Sequence, residues 1–220
     1  MATDQVTNNV GKFFHSYAAD FDSLYGHSKR RSSVGKWLDI KLRKTMFLRF
    51  EEALKNSEKP EIKTVLDVGC GPGRYLVEFK LQGKEATGLD MADGMIKIAQ
   101  DVTNKVDGPG SVDFVESDYL SFKADKKYDA ACLMGFFDYI EKPEDVINKL
   151  KKDISKEFYA SFPQADEPLS LQRKIRYKMR NCPLWLYTRK DVETILNNCG
   201  LQGKYEIKDF GRDYYVKVNF

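Results

Sequence analysis

The 220-residue chain is poor in histidine, with two, and its four cysteines (Cys70, Cys132, Cys182 and Cys199) lie far apart with no C-x-x-C pair. That excludes the usual structural zinc spacings, so no metal site is expected and free buried thiols are the plain reading. Neither sign of charge dominates: 36 Lys and Arg face 33 Asp and Glu, a formal net charge of +3, which does not by itself imply nucleic acid. No apolar run approaches the ~18 residues that a membrane span requires. The first twelve residues are polar rather than of signal-peptide type, so a cytoplasmic protein is expected. Internal repeats and low-complexity tracts are missing too.

What is present suits one soluble domain, residues 1–220, long enough to bury a substantial core. An N-terminal helical segment spans 11–57. Within it Leu38, Leu42, Met46, Phe50 and Leu54 recur every four positions with Phe47 beside them, one face of an amphipathic helix. Strands and helices alternate after Pro60. Thr64 to Val68 is a short buried-type strand, and Arg74 to Leu81 a helix closed by Gly83. Glu85 to Asp90 is a second strand, and Met95, Ala99, Val102 and Val106 mark the inner stripe of a second helix. Strands at Val112–Val115, Tyr128–Met134 and Glu157–Phe162 follow, with a helix from Pro143 to Lys152 before the last of them. Thr188 caps a helix that Gly200 ends, and Tyr205–Phe210 and Tyr214–Val218 alternate as a hairpin around Gly211. Five strand-helix alternations imply a parallel sheet covered on both faces, to which the hairpin adds an antiparallel strand. Residues 164–187 fit no part of this pattern and read as an inserted cap.

The informative run is Val65-Leu66-Asp67-Val68-Gly69-Cys70-Gly71-Pro72-Gly73-Arg74. Glycines at 69, 71 and 73 follow a strand and open a helix, letting the backbone turn tightly and approach a ligand. A dinucleotide fingerprint places its third glycine at 74, where this chain has Arg, and no G-K-[ST] of a phosphate-binding loop follows. The loop therefore cradles something other than a diphosphate. Asp90, at the end of the second strand, can accept hydrogen bonds from both hydroxyls of a ribose. Asp118, in Glu116-Ser117-Asp118-Tyr119, can accept from an adenine amino group, although an Asp at a strand end also serves simply to cap a turn. Three acidic residues at the tops of three strands suit a cationic, adenosine-bearing ligand.

On these residues the sequence resembles the class I S-adenosylmethionine-dependent methyltransferases, over roughly Thr64 to Gly200. It is similar to their small-molecule branch, which includes quinone-biosynthesis and magnesium-protoporphyrin methyltransferases. The resemblance implies a Rossmann-like α/β fold: a seven-stranded, mostly parallel sheet in the order 3-2-1-4-5-7-6, strand 7 antiparallel, with helices on both faces. It implies that Asp67, Gly69, Cys70, Gly71 and Gly73 surround the methionine part of S-adenosylmethionine and that Asp90 holds the ribose. Met91 would lie against the adenine, Asp118 with Tyr119 would meet its amino edge, and Met134 and Gly135 would flank the cofactor. S-adenosylhomocysteine would be the product.

One departure matters. Many relatives carry a histidine pair after the fourth strand, and this chain reads Gly135-Phe136-Phe137-Asp138-Tyr139-Ile140. Asp138 and Tyr139 stand where a base or an acceptor contact belongs. Tyr17 and Tyr25, in an aromatic N-terminal segment, are further candidates for acceptor contact. The basic run Arg173-Lys174-Arg176-Lys178-Arg180 carries five positive charges and no acid. It reads as a solvated face, or as an attractor, through Arg176 and Arg180, for an anionic or lipid-like acceptor, or as a contact with an anionic membrane surface. The expected function is methyl transfer to a small molecule. The alternatives are a nucleic-acid methyltransferase, although no Asn/Asp-Pro-Pro-aromatic motif or Pro-Cys nucleophile is present, and a cofactor-binding regulatory module without turnover.

Overall fold

The computed structural model describes residues 33–167, 170–179 and 182–220, without the side chains of residues 33–43, Leu171 and Arg176. Tyr17, Tyr25, Arg180, the side chain of Arg176 and the first part of the 11–57 segment lie outside the described residues. In chain order the elements are α1 Ser33–Ser57, β1 Thr64–Val68, α2 Arg74–Leu81, β2 Glu85–Asp90, α3 Asp93–Asn104, β3 Ser111–Glu116, β4 Tyr128–Leu133, α4 Pro143–Asp153, β5 Ile154–Pro163, α5 Ser170–Met179, α6 Arg189–Asn198, β6 Tyr205–Asp209 and β7 Asp213–Asn219.

The seven strands form one sheet in the order β3-β2-β1-β4-β5-β7-β6. Strands β1 to β5 run parallel and β7 pairs antiparallel with both β5 and β6. Side chains alternate across the sheet, as pleated strands demand. Val65, Ala86, Ala130, Cys132, Tyr159 and Tyr215 point to one face, packed on Ala53 of α1, Leu76 and Phe79 of α2 and Ile96 of α3. Leu66, Leu89, Ala131, Leu133, Phe158 and Val216 point to the other, against Val146, Ile147 and Leu150 of α4 and Val192 and Leu196 of α6. Burial on both faces explains why these strands read as apolar runs.

Thr188 caps α6 in a reciprocal box: its Oγ1 accepts from Asp191 N (3.2 Å), and Asp191 Oδ2 accepts from Thr188 N (2.8 Å). Two local expectations are corrected. The inner stripe of α3 is Met95, Ile96, Ala99 and Thr103; Val102 is 37% exposed and Val106 lies past the helix end. Spacings of 1, 3 and 4 hold one helical face, and the polar Thr103 joins it by returning its hydroxyl to Ala99 O at 2.8 Å. The link from β3 to β4, residues 117–127, contains no helix, so the alternation is one helix short of five.

Order in the sheet reverses at β1 and β4, which leaves a crevice at their carboxyl ends. No described helix is long and apolar enough to cross a membrane.

Candidate active site

The glycine loop leaves β1 and is fastened to the end of β2. Gly69 N and Cys70 N both donate to Leu89 O, at 2.7 and 3.0 Å, and Gly71 N donates to Asp90 Oδ2 at 2.9 Å. Gly71 and Gly73 have φ of +52° and +81°, which side-chain-bearing residues rarely adopt. The two differ in purpose. A Cβ on Gly71 would meet nothing within 4 Å, so its side-chain space belongs to the cleft. A Cβ on Gly73 would come within 2.9 Å of the Ala99 Cβ, so this glycine lets α2 approach α3 and stands apart from the cleft wall. Gly73 also opens α2 with no side-chain cap.

A cleft of about 720 Å³ lies over the loop. It brings together Asp67, Gly69, Cys70, Gly71, Asp90, Met91, Asp118, Tyr119, Met134 and Gly135, together with Asp138 and Tyr139. Asp67 is 2% exposed; burial first, and then the neighbouring Asp90 carboxylate, push its pKa up to about 8, while a hydrogen bond with the Cys132 thiol opposes them. Asp67 Oδ2 has no partner among the described residues. Burial also raises Asp90, against the backbone N–H groups of Ala92, Gly71 and Met91. Asp118 lines the cleft and at the same time receives Ser121 N at 3.3 Å, so the turn-capping role and a ligand role coexist there. The Tyr119 hydroxyl turns away to Asp153 Oδ2 at 3.0 Å, leaving the rest of the residue to the wall. All four thiols are free and buried, and burial raises those of Cys70 and Cys132, which makes them poor nucleophiles.

Asp138 and Tyr139 belong to a short 3-10 turn, Phe137–Tyr139. The turn is held by Trp185 N, which donates to Asp138 O at 2.9 Å, and by the Tyr187 hydroxyl, 3.2 Å from Phe137 O and from Ile140 O. Asp138 Oδ2 pairs with Arg173 Nη2 of α5. Burial raises Asp138, and the Arg173 guanidinium opposes it. The basic run therefore does not act as one solvated patch: Arg173 is engaged by Asp138 and Asp213, whereas Lys174 and Lys178 are exposed. Sequence reasoning missed Arg49, Ser161, Arg173, Tyr177 and Asp213. Only the hairpin topology carried a signal, since pairing β7 with β5 sets Asp213 beside Pro163 at the cleft end.

Residues 65–156 match the family model of a methyltransferase domain. That stretch, from β1 into β5, is what the chain shares with a methyltransferase domain. A ubiquinone biosynthesis O-methyltransferase of Chromobacterium violaceum is 32% identical over 39% of this chain and 37% of its own length. That of Pectobacterium atrosepticum is 23% identical over 94% and 78%. The chain spans less than half the length of the curated relatives that it first matches. The magnesium protoporphyrin IX methyltransferase of Synechocystis, solved with bound SAH, superposes with a TM-score of 0.74 at 18% identity, covering 97% of this chain and 99% of that one. That likeness concerns the fold. The glycine loop itself tests the fit of a cationic nucleoside: open space over Gly71 and the unpartnered Asp67 oxygen both suit one.

Proposed function

We propose that the chain binds S-adenosylmethionine in this cleft and methylates a small-molecule acceptor. The observation that carries the reading is the convergence of Asp67, the 69–71 loop, Asp90 and Asp118 on one cavity from three neighbouring strand ends. Asp90, fixed by Gly71 N and Ala92 N, keeps lone pairs for the ribose hydroxyls. Met91 and Met134 offer polarisable walls, Gly135 flanks the cofactor, and Asp118 with Tyr119 borders the adenine. Cys70 contributes backbone and bulk. When bound, the cofactor supplies an activated methyl group and leaves as a neutral thioether.

The protein's share is mainly alignment, worth up to ~7–11 kcal/mol in well-oriented systems. Where the acceptor atom bears a proton, Asp138 or Tyr139 is placed to take it, an effect of typically ~10²–10⁴-fold. We assign exclusion of water to the cap 164–187, and acceptor contact to Tyr17, Tyr25, Arg176 and Arg180, whose side chains lie outside the described residues. We read the chain as a single cytoplasmic domain. Titration calorimetry with S-adenosylmethionine tests the reading, and absence of binding contradicts it. A mobility-shift assay with RNA and DNA is expected to show no complex.

A further inference from the structure

The acceptor end of the cleft is made by α5 lying over the 137–139 turn. Arg173 and Tyr177 are four residues apart and share a helix face. Arg173 meets Asp138, and the Tyr177 hydroxyl lies 3.1 Å from that of Tyr139. Arg173 Nη1 also reaches Asp213 Oδ1 at 3.5 Å, and Asp213 Oδ2 receives Arg49 Nη1 at 2.9 Å. Arg49 Nη1 continues to Ser161 Oγ at 3.2 Å, and Gly135 N donates to that same hydroxyl at 2.7 Å. Two carboxylates and two guanidiniums thus alternate and balance one another. Arg212 is 3.6 Å from Glu167, and Arg74 lies over the Phe50 ring at 4.1 Å.

A carboxylate oxygen on this wall is unmatched. Asp138 is 4% exposed and lines the cleft, yet its Oδ1 has no partner among the described residues. A buried acceptor of this kind is destabilising until a donor reaches it. Because Oδ2 is held by Arg173, the oxygen left over is fixed in identity and direction. We propose that Arg173 is the positioning residue of an acceptor subsite: it holds Asp138 so that Oδ1 takes a hydrogen bond from the hydroxyl or amino group of an uncharged acceptor. Phe136, Tyr139, Ile140 and Tyr177 supply an aromatic and apolar seat for the rest of that molecule. The inference rests on the methyl-transfer reading and narrows its acceptor. An anionic acceptor, the alternative drawn from the basic run, would set a second negative charge against Asp138, whose facing guanidinium, Arg173, already meets two carboxylates.

The test uses the full chain loaded with S-adenosylhomocysteine, whose binding is measured first by calorimetry. Phenol and benzoate are the probes: they share a ring, but at neutral pH one is an uncharged donor and the other an anion without one. Saturation-transfer NMR is expected to show phenol binding at least about tenfold more tightly than benzoate, the scale of one charge-assisted hydrogen bond. Asp138→Asn presents an amide N–H where Oδ1 stood and is expected to invert that preference. Arg173→Met is expected to weaken phenol by about tenfold, again one such bond, while Arg173→Lys recovers part of the loss. If Arg173→Met fails to fold, the Asp138→Asn inversion decides alone. Benzoate binding as well as phenol, or a preference unchanged in Asp138→Asn, overturns the inference. A wild-type chain that does not bind S-adenosylhomocysteine removes the methyl-transfer reading itself, a different outcome from nucleoside binding with no preference for phenol.

Discussion

Asp67 shows how one buried group registers the ligand. With its pKa at about 8 rather than 3.8, the folded chain holds a proton that the unfolded chain has released. Stability without ligand is therefore expected to fall as pH rises from about 4 toward 8, since the native state binds more protons in that window. Thermal melts across the window check this, and Asp67→Asn is expected to flatten the slope. A cation seated beside Asp67 favours its ionised form, so binding near pH 7 should release a proton, visible as a calorimetric enthalpy that changes with the buffer. Asp90→Ala removes the side-chain anchor of the loop at Gly71 N and the bond to Ala92 N, together with the proposed ribose contact. A loss of at least about tenfold in affinity for S-adenosylmethionine is expected, the scale of a single hydrogen bond to a charged group. An unchanged dissociation constant would remove the ribose assignment.

Elements impose tighter conditions on the loop than its composition suggests. A Cβ at position 71 meets no protein within 4 Å, so Gly71→Val is expected to fill cleft space and abolish nucleoside binding, with its strained φ as the main cause of any lower melting temperature. Gly73→Ala strikes Ala99 and so is expected to destabilise by about 1–3 kcal/mol, as overpacking does, with part of the loss recovered in the double variant carrying Ala99→Gly. Denaturant unfolding separates the two glycines, one a matter of binding and the other of packing. Thr188→Ala, which breaks the α6 capping box, should cost about 1 kcal/mol in the same assay. The helix boundaries were legible because caps and glycine stops are local chemistry; Gly83 and Gly200 both take the left-handed turn that their positions implied. The inner stripe of α3 was not, because Ile96 and Thr103 satisfy the helical period as well as Val102 does, and only the neighbouring sheet chooses between them.

At the scale of the whole molecule, the alternation of elements implies a parallel sheet with an antiparallel hairpin strand, and the sheet realises the 3-2-1-4-5-7-6 order that the family resemblance implied. The loop and the strand-end acids, which share that topology, were therefore readable in advance. The charged chain on the acceptor side was not. Arg49 and Asp213 are 164 positions apart, and no periodicity or spacing links them before the sheet closes. Arg173 likewise reads as one of five surface cations until folding sets it between two carboxylates. The proposed methyl transfer requires a single seat for a sulfonium nucleoside at the carboxyl ends of β1 and β2. Crystals of the chain grown with S-adenosylhomocysteine test it most directly: density for the nucleoside over Gly71, with its ribose at Asp90, is the expected result, and a nucleoside-free cleft at saturating concentration would contradict it.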